Sequence, residues 1–249
     1  MQAIRKQDPE PDFLETQTVA IGVDAETDAA PARLVLLTLV RPSSLYRRRG
    51  KRLLDAVLGA ALLVCALPLL LAVGLAVLAA SGWPVLYASE RVGLGGRPFR
   101  MQKFRTMISD ADRVIERWRE TRPDLADEYG KNFKVKDDPR ITPLGRLLRK
   151  TSLDELPQLW NVVRGDMSLV GPRPVPGKEM EDQYGAMTGQ VLSVRPGMTG
   201  LWQINGRSRT TYEERVRMDL TYAQDLSLLG DVKVLLKTNA AVFRTHEAA

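Results

Sequence analysis

One histidine and one cysteine in 249 residues remove several chemistries at once. His246 lies near the last residue, and Cys65 sits inside a long apolar run. The chain can build no internal disulfide, and a zinc site of the usual His/Cys type is excluded. Ser-His-Asp and Cys-His catalysis would have to draw their base from His246 alone, far in sequence from the charged motifs, which argues against both. An acid, base or nucleophile must therefore come from Asp, Glu, Lys, Tyr or a metal-bound group. Phosphate loops are missing too. No GxxxxGK[ST] occurs, and "GLGG" at 93–96 lacks dinucleotide spacing. Scarce cysteine fits a reducing compartment. No internal repeat is visible.

What remains is an ordinary composition, 44% hydrophobic and 27% charged, with a net charge of +6. The length suits one good core with an appendage. The positive balance points to an anionic partner: nucleic acid, an acidic membrane surface or a phosphorylated substrate. Residues 1–44 read as a disordered or weakly structured tail, although "RLVLLTLV" at 33–40 could form a strand. A basic flank follows, and from Ala56 to Ala80 no residue is charged. Those 25 residues would reach about 37 Å as a helix, against about 30 Å of hydrocarbon. Arg47, Arg48, Arg49, Lys51 and Arg52 precede this run, and Arg91, Arg97, Arg100, Lys103 and Arg105 follow it. Basic flanks favour the cytoplasmic side, and here both ends carry them. A helix bent at Pro68 that returns to the same face satisfies both; a proline-kinked single span is the alternative. Asp55 is expected at headgroup level.

Glycines at 93, 95 and 96 between apolar runs predict a β-hairpin over 82–107. Lys103 and Arg105 alternate with Phe104, so both could face a phosphate. A helix is predicted over 106–120 with Met107, Ala111, Val114 and Trp118 on one face, then a polar stretch over 121–140. Residues 141–152 read as a short basic amphipathic segment, and 195–209 as a loop with short strands. Thr211 and Glu214 form a capping box for a helix to about Gln224. A second helix over 231–244 would turn Val232, Leu235, Leu236, Asn239 and Phe243 to one side.

Asp154 and Glu155 stand side by side just before Pro157. Proline is tolerated in a first helical turn, so a helix should start here with the carboxylates at its N-terminus. The positive end of the helix would keep Asp154 ionised. An ionised carboxylate can attack phosphorus or hold Mg²⁺. The alternative is helix capping, with Ser152 as N-cap and Glu155 in a capping box. Arg149, Lys150, Arg164 and Asp166 flank the pair, and Arg173 is held between Pro172 and Pro174. Such a mixture suits a phosphate site with a metal.

The blocks "DDPRITPLGRLLRKTSLDELPQLWNVVRGDMSLVGPRP" and "RPGMTGLWQINGR", with "KFRTM" and the basic-flanked apolar run, resemble the bacterial sugar transferase family. Its members are monotopic phosphoglycosyl transferases, and the resemblance runs from about Lys51 to about Phe243. It is nearest to initiating enzymes of exopolysaccharide and capsule assembly. The resemblance implies transfer of a sugar-1-phosphate from a UDP-sugar to undecaprenyl phosphate, with glucose or galactose favoured. Asp154 would be the nucleophile and Glu155 its dyad partner, with Mg²⁺ at both. Arg149 would bind phosphate; Pro172, Arg173, Pro174 and Arg207 would lie near the nucleotide. Pro68 matches the break of a re-entrant membrane helix, although Leu67 stands where many members have Ser.

The expected architecture is α+β and predominantly helical. It combines a basic flank and re-entrant helix (45–81) with a cytoplasmic domain (82–249) that carries interfacial amphipathic helices and a small hairpin. The expected place is the cytoplasmic face of a bacterial inner membrane. Two functions compete: a membrane-tethered nucleic-acid binder and a non-catalytic scaffold. Basic residues spread among prolines and carboxylates argue against nucleic acid as a partner. Oligomeric state is open, a homodimer included.

Overall fold

The computed structural model describes residues 14–22, 34–42, 45–132, 135, 137–205 and 210–244. Two units divide the chain, Met1–Lys51 and Arg52–Ala249. In the first, β1 (Leu14–Gly22) and β2 (Leu34–Pro42) pair antiparallel with Thr18 opposite Thr38. The strand that the sequence allowed at 33–40 is thus present as β2. The aliphatic, β-branched run at 34–40 finds a second β-prone segment to pair with. A π-type turn, Tyr46–Gly50, leads into the long apolar helix.

That helix, α1 (Lys51–Ser81), contains Pro68. A hairpin follows, β3 (Leu86–Val92) and β4 (Pro98–Phe104), closed by a tight turn at Leu94–Gly96 as the glycines predicted. Next come α2 (Ala111–Thr121), α3 (Pro123–Asn132), α4 (Pro143–Thr151) and α5 (Gln158–Arg164). β5 (Ser168–Val170) pairs in parallel with β6 (Gly197–Thr199), across α6 (Gly177–Tyr184) and the single turn α7 (Thr188–Val191). One turn of α8 (Leu201–Ile204), then α9 (Tyr212–Gln224) and α10 (Leu228–Arg244), complete the described chain. The structure is mostly helical, with small two-stranded sheets and one long apolar helix.

The main core joins the hairpin, α5, the β5–β6 pair and the last two helices. Phe99, Met101, Leu159, Val162, Val170, Tyr222 and Val234 are all buried in it. The hydrophobic stripe of α1 extends it: Leu63 and Ala66 pack on this cluster, and Leu70, Val73 and Val77 on a neighbouring one with Phe104 and Leu148. The opposite side of α1, including Leu62, Leu71 and Leu75, is exposed.

Polar clamps fasten both ends of α1. Arg52 donates from both terminal nitrogens to the carbonyls of Val162 and Val163, each at 2.7 Å, covering the carboxyl end of α5. Asp55 is buried and accepts the Leu169 amide at 3.1 Å, so it is a protein contact rather than a headgroup contact. At the other end the Arg105 guanidinium donates to the carbonyls of Ser81 and Gly82. The capping box of α9 forms as expected, with Thr211 accepting the Glu214 amide and Glu214 accepting the Thr211 amide. In α10 the buried side differs from the expectation. Asp231 and Val234 are buried, whereas Val232 and Leu236 are exposed. Tyr222 donates its hydroxyl to Asp231 at 2.8 Å, which turns that face inward.

One buried side chain sets α5 against β4. Asn161 is 1% exposed; its amide donates to the Arg100 carbonyl and its oxygen accepts the Gln102 amide, both at 2.9 Å. Asn161→Ala strands both backbone groups, each worth about 1–3 kcal/mol when buried unpaired. Unfolding in detergent should show a loss of at least about 2 kcal/mol; an unchanged midpoint would contradict this joint.

Candidate active site

The carboxylates sit where α4 hands the chain to α5. Thr142 caps α4 by accepting the Gly145 amide at 3.0 Å, with Pro143 at its first position. A Cβ on Gly145 would fall 2.0 Å from the Thr106 carbonyl oxygen, so only glycine lets α4 lie flush on that backbone. One turn later Arg149 donates to the Thr106 hydroxyl at 2.9 Å. Ser152 then takes a left-handed conformation, φ 58°, and reverses the chain into a short turn, Leu153–Glu155. For a non-glycine residue this costs roughly 1–2 kcal/mol. Pro157 caps α5, so the carboxylates lie on the turn before the helix rather than in its first turn.

Capping does not account for the pair. Ser152 makes no side-chain cap bond. Glu155 instead pairs with Lys103 of β4, Nζ to Oε1 at 2.9 Å. Asp154 is buried, 7% exposed. Its carboxyl is pushed above the usual range, first by burial and then by Glu155; Lys103 and Arg149 oppose the rise. The helix field expected to keep Asp154 ionised is therefore not the dominant influence on its pKa. Desolvation outweighs the local cations. Burial lowers the Arg149 guanidinium, against the pull of Asp154 and Asp138. Asp138 is itself held low by hydrogen bonds from Arg140, despite its burial. Arg140 in turn lies between Trp118 and Tyr129, 4.8 Å and 5.3 Å from their ring centres.

The structure therefore brings Asp154, Glu155, Lys103 and Arg149 together. Arg105, expected to face a phosphate beside Lys103, is buried with its guanidinium on the end of α1 and on the Ser109 hydroxyl. It lies just past the last strand residue, so strand alternation no longer aims it. Pro68 lies within α1, exposed. Arg207 falls outside the described residues.

Pro172, Arg173 and Pro174 form a second centre. The Pro172 carbonyl accepts the Gly197 amide at 2.8 Å, and the Arg173 guanidinium lies 5.4 Å from the Trp202 ring centre. Arg91 stands near enough to Arg173 that its pKa falls, mainly from burial and then from that like charge. Arg91 and Lys103 share one face of the hairpin, paired with Phe99 and Tyr87. Four strand residues, about 13 Å, separate their positions. The hairpin thus links the carboxylates to the Arg173 centre. Arg91, Trp202, Arg215 and Asp219 were missed by sequence reasoning; only the long-range packing of α9 and β3 gathers them.

This geometry coincides with a family match. The model for the bacterial sugar transferases covers residues 46–245. A UDP-galactose-lipid carrier transferase of Erwinia amylovora is 45% identical over 198 residues, 80% of this chain and 41% of that protein. The exopolysaccharide production protein ExoY of Rhizobium meliloti is 43% identical over 193 residues, 78% of this chain and 85% of that protein. A UDP-glucose:undecaprenyl-phosphate glucose-1-phosphate transferase of Caulobacter vibrioides is 40% identical over 206 residues, 80% of this chain and 71% of that protein. The chain belongs to the bacterial sugar transferase family. It spans less than half the length of the Erwinia relative.

Because Lys103 lowers the Asp154 pKa and burial raises it, the group should lose its charge above the usual carboxylate range as pH falls. Activity that needs the carboxylate is present above that pKa and lost below it. Lys103→Met removes a stabilising cation, so the acid limb of the pH–rate profile should move to higher pH. A limb that stays in place or moves down would contradict the assignment.

Proposed function

We propose that this chain transfers a sugar-1-phosphate from a UDP-sugar to undecaprenyl phosphate, releasing UMP, through a covalent intermediate on Asp154. The observation that carries the reading is the buried Asp154 carboxylate, beside Glu155 and within the fields of Lys103 and Arg149. An Asp154 oxygen attacks the phosphorus that bears the sugar. The bond from that phosphorus to the bridging oxygen breaks, and UMP leaves with the electron pair. An oxygen of the polyprenyl phosphate then attacks the same phosphorus. The acyl-phosphate bond breaks, which restores the Asp154 carboxylate and yields a polyprenyl diphospho-sugar. Both displacements balance without a net proton, so a site lacking histidine can perform them. A covalent intermediate lets the two anionic substrates occupy one pocket in turn. Relatives are named for both galactose and glucose carriers, so a hexose donor is favoured.

Lys103 holds Glu155, Arg149 faces Asp154 and the diphosphate, and Arg173 contacts the nucleotide. Among the described residues no group of three or more His, Cys, Asp or Glu gathers to form an all-protein metal cage. Two adjacent carboxylates with phosphate oxygens are instead the donor set that magnesium commonly takes. Asp154 and Glu155 would hold such an ion, which when bound neutralises diphosphate charge.

The same reading sets α1 in the inner membrane as a bent, re-entrant helix, with the catalytic unit at the cytoplasmic surface. Two features support it. Both halves of α1 pack on one body, and both ends are clamped to it, at Val162–Val163 and at Arg105. Those clamps are close, because Asn161 and Gln102 are hydrogen-bonded at 2.9 Å. A straight helix from Arg52 to Ser81 would span about 43 Å. Exposed Trp160, Leu147 and Trp83 suit a membrane interface near this helix. The expected biological setting is the first membrane step of exopolysaccharide or capsule assembly.

Asp154→Asn keeps the side chain's size and should cut UMP release from UDP-sugar and polyprenyl phosphate by at least about 1,000-fold. Retained turnover would eliminate the covalent route. For topology, Arg49→Cys and Lys237→Cys in a Cys65→Ser background should both react with an impermeant thiol reagent only after the cell interior is opened. Labelling of either from the outside would refute the re-entrant arrangement.

A further inference from the structure

The arginine between two prolines has an unusual backbone. Pro172 and Pro174 carry no amide hydrogen, so Arg173 supplies the only N–H of the three. That N–H lies close enough to the Asp219 carboxylate on α9 to favour its charged form. Asp219 is 1% exposed, and the buried Tyr184 of α6 donates its hydroxyl to the same carboxylate at 2.8 Å. Flanking groups fix the rest of the segment: the Gly171 amide on the Thr199 carbonyl at 2.9 Å, and the Val92 amide on the Val175 carbonyl at 3.0 Å. Arg215, one helical turn before Asp219, lies 5.1 Å from the Trp202 ring centre, which Arg173 also approaches.

We propose that Asp219 is a positioning residue for the donor nucleotide: by holding the Arg173 amide, it aims the Arg173 guanidinium along Trp202. This rests on the reading that Arg173 contacts the UDP-sugar. The groups facing the carboxylate are Tyr184 from α6, Arg173 from the proline segment and Arg215 from its own helix. A carboxylate so deeply buried opposes folding through desolvation, which pushes its pKa to about 7, against the Tyr184 hydrogen bond and the charges of Arg215 and Arg173. Buried charges kept at such cost concentrate at functional sites. The Tyr184 hydroxyl donates to this carboxylate and Arg215 and Arg173 lie within its field, whereas an apolar residue would serve a purely structural role better.

The test is a double-mutant cycle on the full chain in detergent, reading UMP release against donor and polyprenyl phosphate concentrations. Asp219→Ala should raise the donor KM about tenfold, change turnover at saturating donor less than threefold, and leave the polyprenyl phosphate KM unchanged. Asp219→Asn keeps an acceptor and should restore donor KM to within threefold of the parent. In an Arg173→Lys background, Asp219→Ala should add less than twofold, because the arginine it aims is gone. Full multiplication of the two effects, or an equal rise in both KM values, would overturn the inference. If Asp219→Ala fails to fold, Tyr184→Phe replaces it. Loss of that hydroxyl should raise donor KM severalfold, again without effect in the Arg173→Lys background, and an unchanged donor KM would overturn the inference. A parent enzyme that releases no UMP defeats the functional reading itself. A parent that turns over, beside a kinetically silent Asp219→Ala, defeats only the positioning role.

Discussion

The amide side chain of Asn161 holds two elements in register, and the chemistry of the site depends on that register. Its oxygen and nitrogen complete the hydrogen bonding of β4 at Arg100 and Gln102, while its backbone carbonyl accepts the amides of Gly165, Asp166 and Met167 beyond α5. With α5 fixed to β4, the turn before α5 falls opposite Lys103. Glu155 finds its lysine there, and Asp154 is carried below the surface. The same joint determines where α1 can lie, because Arg52 grips the end of α5 and Arg105 leaves the end of β4. The long apolar helix and the carboxylates are thus referenced to one buried contact.

Electrostatics then separates the roles of two neighbouring acids. Asp154 is desolvated and disfavours its charged form; Glu155 is compensated by a direct ion pair. A poorly solvated carboxylate is a stronger nucleophile than a fully hydrated one, provided that it remains ionised. Lys103 and Arg149 favour that ionised state without bonding Asp154 closely enough to block it. Arg149 is supported from behind by the Asp138–Arg140 pair, which Trp118 and Tyr129 enclose. α2 and α3 therefore serve the site although neither reaches the carboxylates.

Features fixed by local rules were legible in the sequence. Glycines at 93, 95 and 96 marked the hairpin, Thr211 and Glu214 marked the start of α9, and the apolar run marked α1. Proline spacing and charge marked Asp154 and Glu155, whereas the role of Arg149 came from the family resemblance and Lys103 was read only as a strand residue that could face a phosphate. Features fixed by distant partners were not legible. Arg105 looked like a phosphate ligand and Arg52 like part of a basic flank, but both bond backbone carbonyls, and sequence does not reveal which carbonyls are left open by a fold. Asp55 sat in a membrane-like run, yet its partner is 114 residues away. α3 and α6 are polar and weakly periodic, so the 121–140 stretch hid a helix held by Arg140 stacking on Tyr129. In α10 Val232 and Leu236 face outward while Val234 is buried, because a buried Asp231 sets the helix rotation.

The central claim is that Asp154 carries the phosphosugar between two displacements. Enzyme mixed with UDP-sugar alone, quenched in acid and digested, should yield a peptide spanning Asp154 that is heavier by one hexose phosphate. The mass should revert when polyprenyl phosphate is added before quenching. Normal turnover with an unmodified Asp154 peptide under donor alone would contradict the account.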